Sequence, residues 1–141
     1  MLPDIKTEQV GNKYGVEEHF RLLGTSAATA ANYSVLMNVL NPIELVLIEV
    51  SFTTASTSGT LQFEKLTVTT APGAGSVILD SVISLSGTAN TLVTRNQRQM
   101  TSARVFERGD RIALVDAGTL TNLTDLVVSI YYKPRGRGEY R

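Results

Sequence analysis

Between Val105 and Tyr132 large apolar residues fall on every second position, and that spacing restricts this part of the chain to extended structure. Ile112 and Leu114 share one side of a first segment, and Leu126, Val128, Ile130 and Tyr132 share one side of a second. Successive side chains of a strand point to opposite faces, so period two with β-branched and aromatic residues is the pattern of a half-buried strand. Gly109-Asp110 marks the turn into the first segment, because glycine accepts positive φ and aspartate can bond its own backbone. The spacing predicts two antiparallel strands that close the domain as a hairpin. Their connection, Asp116 to Asp125, is long for a hairpin and is a candidate for more than a connector.

The same reading extends upstream. Val16 to Leu23 is a predicted strand, with Phe20 and Leu22 on one side. Tyr33 to Leu40 is another, stopped by Asn41-Pro42, since proline cannot donate to a ladder. Ile43 to Thr53 is the strongest strand: Ile48, Val50 and Phe52 face one way, Glu49, Ser51 and Thr53 the other. Leu45 and Leu47 share the side of Glu49 and Ser51, so one end of this strand is apolar on both faces. A second layer or another subunit must cover it. In Thr60 to Val68 the phase changes at Glu64-Lys65, which predicts a bulge. Val77 to Leu85 suits a short helical turn as well as a strand, with extended structure the favoured reading; Leu92 to Arg95 is a short strand, Ala103 to Phe106 leads into the Val105 segment, and Gly24 to Ala31 is a loop or weak strand.

About eight strands separated by turn signals predict an all-β fold: an antiparallel β-sandwich of jelly-roll type. A parallel sheet would need long helical crossovers, and the sequence offers none. The expected layout is an extended N-terminal arm over residues 1–15, a sandwich over 16–133 and a basic tail over 134–141.

Composition removes several classes of function. A chain of 141 residues with 43% apolar content is long enough for one self-sufficient core. It has no cysteine, which rules out disulfides, zinc-thiolate sites and thiol chemistry. Formal net charge is zero, which argues against a nucleic-acid partner captured by overall field. The start, Met1-Leu2-Pro3-Asp4-Ile5-Lys6, lacks the apolar core of a signal peptide, and no apolar run approaches the roughly 20 residues of a membrane helix. The expectation is a soluble protein made in the cytoplasm, with no membrane partner.

Catalytic patterns are thin. His19 has no acid or nucleophile at a diagnostic spacing, and GxSxG, HExxH and P-loop motifs are absent. A carboxylate pair such as Glu49 and Glu64 on neighbouring strands would suit glycoside hydrolysis only across a cleft. Asp110, Asp116 and Asp125 lack the spacing of a calcium loop. The residues therefore predict no enzyme, no cofactor and no metal. Arg108-Gly109-Asp110 spells an integrin-recognition tripeptide, but it falls where a sheet needs a turn.

Charge is patterned locally. Arg95, Arg98, Arg104, Arg108 and Arg111 fall in one window, offset by Glu107 and Asp110, and the C-terminal end adds Lys133, Arg135, Arg137 and Arg141. From Glu44 to Glu64 there are three acids and no cation. Such a division suits either solvated faces or complementary contacts between copies, where rim charges set register more than affinity.

Val105-Phe106-x-x-Gly109-Asp110-x-Ile112-x-Leu114 resembles a segment of small β-sandwich proteins of tailed bacteriophage particles. Leu61-x-Phe63-x-Lys65-Leu66 followed by Ala71-Pro72-Gly73-x-Gly75 is similar to them too, as is Ile83-x-Leu85 before Gly87-Thr88-Ala89. The likeness spans Ile43 to Lys133. Gly-Asp before a strand also occurs in TNF-like and cupin folds, although this chain lacks the aromatic-rich strands of TNF-like trimers. The resemblance implies a capsid decoration (cement) subunit at the virion's outer surface, acting as a homo-oligomer, in the trimeric form common to such proteins, on the major capsid protein. On that expectation Leu45 and Leu47 make subunit contacts, Arg95, Arg98 and Arg104 set charge register, and Tyr14 belongs to an arm that reaches the shell. The alternative is a fibre or tail-associated domain that binds a host-surface glycan.

Overall fold

The computed structural model describes residues 16–22 and 35–135. The expected arm, the segment 24–31 and the tail beyond Arg135 lie outside the described residues. Among the described residues the strands are β1 (Val16–Leu22), β2 (Val35–Asn38), β3 (Ile43–Ser51), β4 (Thr60–Leu66), β5 (Ser76–Val77), β6 (Ile83–Ser84), β7 (Val93–Asn96), β8 (Val105–Phe106), β9 (Arg111–Ala117) and β10 (Leu126–Pro134). Two short 3-10 turns, Gln97–Gln99 and Ser102–Arg104, lie between β7 and β8.

The strands form two antiparallel sheets, β1-β10-β3-β7 with β8 also on β3, and β2-β9-β4-β5 with β6 also on β4. β10 runs along one edge of β3, so β7 and β8 share the other; β5 and β6 likewise share one edge of β4. Counting each such pair as one position, the orders are 1-8-3-6 and 2-7-4-5. That is the jelly roll, two interleaved Greek keys wound into a sandwich. The fold is the all-β sandwich that the sequence predicts.

The core lies between the sheets. Phe52, Phe63 and Phe106 are its largest buried side chains, packed with Leu45, Ile48, Leu61, Ile112, Leu114, Val128 and Ile130. Each such side chain contributes about 1.5–3 kcal/mol on burial. Beside the core, the Gln62 side chain both donates to the Leu79 carbonyl and accepts from its N–H, at 3.2 and 3.0 Å. It thereby acts as an extra strand residue between β4 and the β5–β6 connection.

Three expectations need correction. First, β9 and β10 are strands but not a hairpin: they belong to opposite sheets. The connection between them crosses the end of the sandwich and buries Leu120 and Leu123. It bonds to the β3–β4 connection through Thr57 N to Thr121 O, Ser58 N to Thr119 O and Thr53 N to Thr124 O. Second, Leu45 and Leu47 do not share a side of β3. Its register against β10 slips by one residue, since Tyr131 pairs with Leu47 but Tyr132 with Leu45. The bulge turns Leu45 into the core with Ile48, and leaves Leu47 half-buried on the outer face. Third, β4 has no bulge: its pairing with β9 is regular from Thr60 to Leu66. Glu64 and Leu66 face outward, away from the Phe63 side, yet both are buried. The segment 67–75 folds back over them.

Candidate docking surface

That segment is built by two charged side chains. Glu64 Oε1 accepts from the backbone N–H of Gly73 at 2.8 Å and of Gly75 at 3.2 Å. Arg111 Nη2 donates to the carbonyls of Val68 and Thr70, at 3.1 and 2.6 Å. Gly75 lies so close to the sheet that a Cβ there would stand 2.6 Å from both Leu66 Cδ2 and Lys65 O. The clamp presents Val68 at its tip, 81% exposed, with φ at +42°. For a β-branched residue that region is unfavourable, because Cβ meets the backbone.

Next to it, across Arg111, lies the connection from β2 to β3. Arg111 pairs with Asn38 in the ladder, Val39 N donates to Asp110 O, and Gly109 N donates to Val39 O. Leu40 follows, 69% exposed. Below it a cleft of about 370 Å³ is lined by Met37, Val39, Ile43 and Tyr132, among others. The chain leaves β10 beside this cleft, with Arg135 N donating to Pro42 O at 3.0 Å.

The turn Glu107-Arg108-Gly109-Asp110 completes this end. Asp110 N donates to Glu107 O, with Gly109 at φ +95°. The Asp110 carboxylate is turned inward: it accepts from Glu107 N at 2.8 Å and lies 3.7 Å from Lys65 Nζ. The Arg-Gly-Asp tripeptide thus forms the turn its position predicts, with the aspartate 8% exposed. Lys65 also donates to Val105 O at 2.7 Å and lies over the Phe106 ring, tying the two sheets together. Arg135 pairs with Glu107 at 2.7 Å. Arg108 and Lys133 are exposed.

The residues expected to make contacts do not converge. Leu45 is fully buried in its own core, which removes it from any contact surface, and Leu47 lies on the outer face between Tyr131 and Asn96. Arg95, Arg98 and Arg104 lie along the β7–β8 side of their sheet. Arg104 is bound within the chain, to Glu44 at 3.1 Å and to Thr101 O at 3.2 Å. Arg95 donates to Thr94 O, and Arg98 is exposed in the first 3-10 turn. Tyr14 lies outside the described residues. The acids expected to oppose these cations have internal partners too: Glu44 holds Arg104, Glu64 holds the loop, and Glu49 accepts from the Tyr131 hydroxyl at 3.3 Å.

The opposite end has a second cleft, of about 360 Å³, lined by Phe52, Thr53, Asn90, Thr91, Leu92 and Asp125, among others. Asn90 and Asp125 both have positive φ, and Leu92 is 57% exposed. Among the described residues no group of three or more His, Asp or Glu is placed to hold a metal ion, and no helix is long and apolar enough to cross a membrane. No protein-family model matches the chain, and no curated protein matches it at a significant level.

Leu40 and Val68 were not legible as surface residues. Both sit in apolar alternation at strand ends, where the pattern predicts burial. The available signals were the Asn41-Pro42 stop after Leu40 and the Thr-rich run around Val68, which mark the places where the ladders end.

Proposed function

We propose that this chain is a structural subunit of a virion, a decoration protein that sits on the outer capsid surface as a homotrimer and stabilises the shell. The observation that carries the reading is the jelly-roll strand order, an architecture that capsid domains use. A second support is how the charged groups are used. Glu44, Glu64, Asp110, Arg104 and Arg111 each hold a loop or strand edge in place, which is work of construction rather than of chemistry. Stabilisation would follow mass action: contacts available only on the assembled shell favour that shell. The test adds purified chain to shells prepared without it. The reading predicts saturable co-sedimentation and a higher disruption temperature, and light scattering of the free protein gives the mass of three chains. A monomeric mass throughout the micromolar range removes the trimer.

The second cleft favours another reading, a fibre or tail-associated domain for a host-surface glycan. Asn90, Thr91 and Asp125 offer polar groups beside the exposed Leu92, and jelly rolls also serve as lectin domains. A glycan array distinguishes the two: specific hits that vanish in Asn90→Ala support the glycan, and an empty array retires it.

A further inference from the structure

We propose that the 67–75 segment is a strap that opens as a unit while the sandwich stays folded, and that its opening uncovers Leu66. The strap itself has little to hold it down. Thr67, Val68, Thr69 and the run from Ala71 to Ala74 are exposed, and none of its side chains belongs to the core cluster. It pairs with no strand among the described residues, since β4 ends at Leu66 and β5 begins at Ser76. Its own backbone bonds, Thr70 N to Thr67 O and Ala74 N to Ala71 O, close turns within it and travel with it.

Among the described residues, two side chains of the sheet bond it: Glu64 takes the Gly73 and Gly75 amides, and Arg111 donates to the Val68 and Thr70 carbonyls. Both grip backbone groups. When the strap leaves, water replaces these bonds, so the net loss is a fraction of their gross strength. No ladder pair is broken: β4 keeps its partners on β9 from Thr60 to Leu66, and β5 keeps its own on β4. Segments with few buried contacts and exposed backbone open at a lower free energy than the whole domain.

Val68 lowers the cost further. At φ +42° its closed conformation is unfavourable for a β-branched residue, and opening relaxes it. What opening reveals is specific. Leu66 is fully buried although it faces away from the core, and Gly75 lies directly against it. Closed, the strap hides that leucine. Open, it displays Leu66 beside the Glu64 carboxylate, so the outer face of this sheet has two states that differ in one apolar side chain and one released charge.

This motion belongs to the single chain and does not require the shell reading. Native-state hydrogen exchange of the full chain, over a series of sub-denaturing urea concentrations, tests it. The Gly73 and Gly75 amides should exchange at rates that hardly change with urea, whereas amides of the β4–β9 ladder should exchange by a strongly urea-dependent route. The chain has no cysteine, so Leu66→Cys carries a single thiol. It should react with a thiol reagent roughly ten-fold or more faster than Leu114→Cys, whose thiol lies in the core. Val68→Asn should slow labelling of Leu66→Cys several-fold, and Arg111→Gln should speed it. Gly73 and Gly75 amides that share the urea dependence of the ladder, or equal labelling at the two cysteines, would overturn the proposal. Exchange is read on the unaltered chain, so it decides the question even where a cysteine variant fails to fold.

Discussion

Glu64 and Arg111 decide where the 67–75 loop sits, and they do so through backbone groups. One carboxylate oxygen takes two amides, and one guanidinium nitrogen takes two carbonyls. Hydrogen bonds to a charged group are each worth about 1.5–3 kcal/mol. Glu64→Ala should therefore destabilise the fold by about 3 kcal/mol, and hydrogen exchange should show the Gly73 and Gly75 amides losing protection first. Unchanged protection at those amides would show that the loop is held by something else. Val68 tests the opposite sign. Val68→Asn relieves a left-handed β-branched residue and should stabilise by about 1 kcal/mol, a rise in Tm of roughly 3 °C. Gly118 admits no such change: at φ +81° a Cβ would stand 2.5 Å from Ser58 O. Gly118→Ala should cost about 2 kcal/mol or more in a denaturant melt.

At the scale of elements, β3 and β4 break their period for opposite reasons. In β3 the alternation predicts two apolar faces, but the cause is a bulge opposite Tyr131 and Tyr132, which puts Leu45 and Ile48 on the same side. In β4 the change of phase predicts a bulge, but the ladder is regular and a loop covers the outer face. A period break in sequence reports that burial changes sides. It does not report whether the backbone slipped or a cover arrived, because both give the same letters. The distinction has an energetic signature. Leu45→Ala opens a cavity in the core and should cost about 2–5 kcal/mol. Leu47→Ala, on the half-buried outer face, should cost about 1 kcal/mol or less. Equal costs in chemical denaturation would contradict the bulge. The candidate surface was the least legible part, since Leu40 and Val68 read as the last apolar positions of strands.

For the whole molecule, the class was readable and the neighbours were not. Period two tells which residues share a face, and turn residues tell where strands end, so a layered antiparallel fold follows from the sequence. Which strand pairs with which depends on loops that cross between sheets. The 118–125 connection looks like a hairpin loop until its bonds to Thr57 and Ser58 place it across the end of the sandwich. The resulting body uses most of its described charges to hold itself together and leaves Leu40 and Val68 exposed at one end, which suits the proposed role of a structural subunit. The most direct test of that account is the copy number of this chain in purified virions of the genome that encodes it, measured by quantitative mass spectrometry after a high-salt wash. The account predicts a fixed ratio to the major shell protein that survives the wash. Virions that lack the chain, or carry it in varying trace amounts, would contradict it.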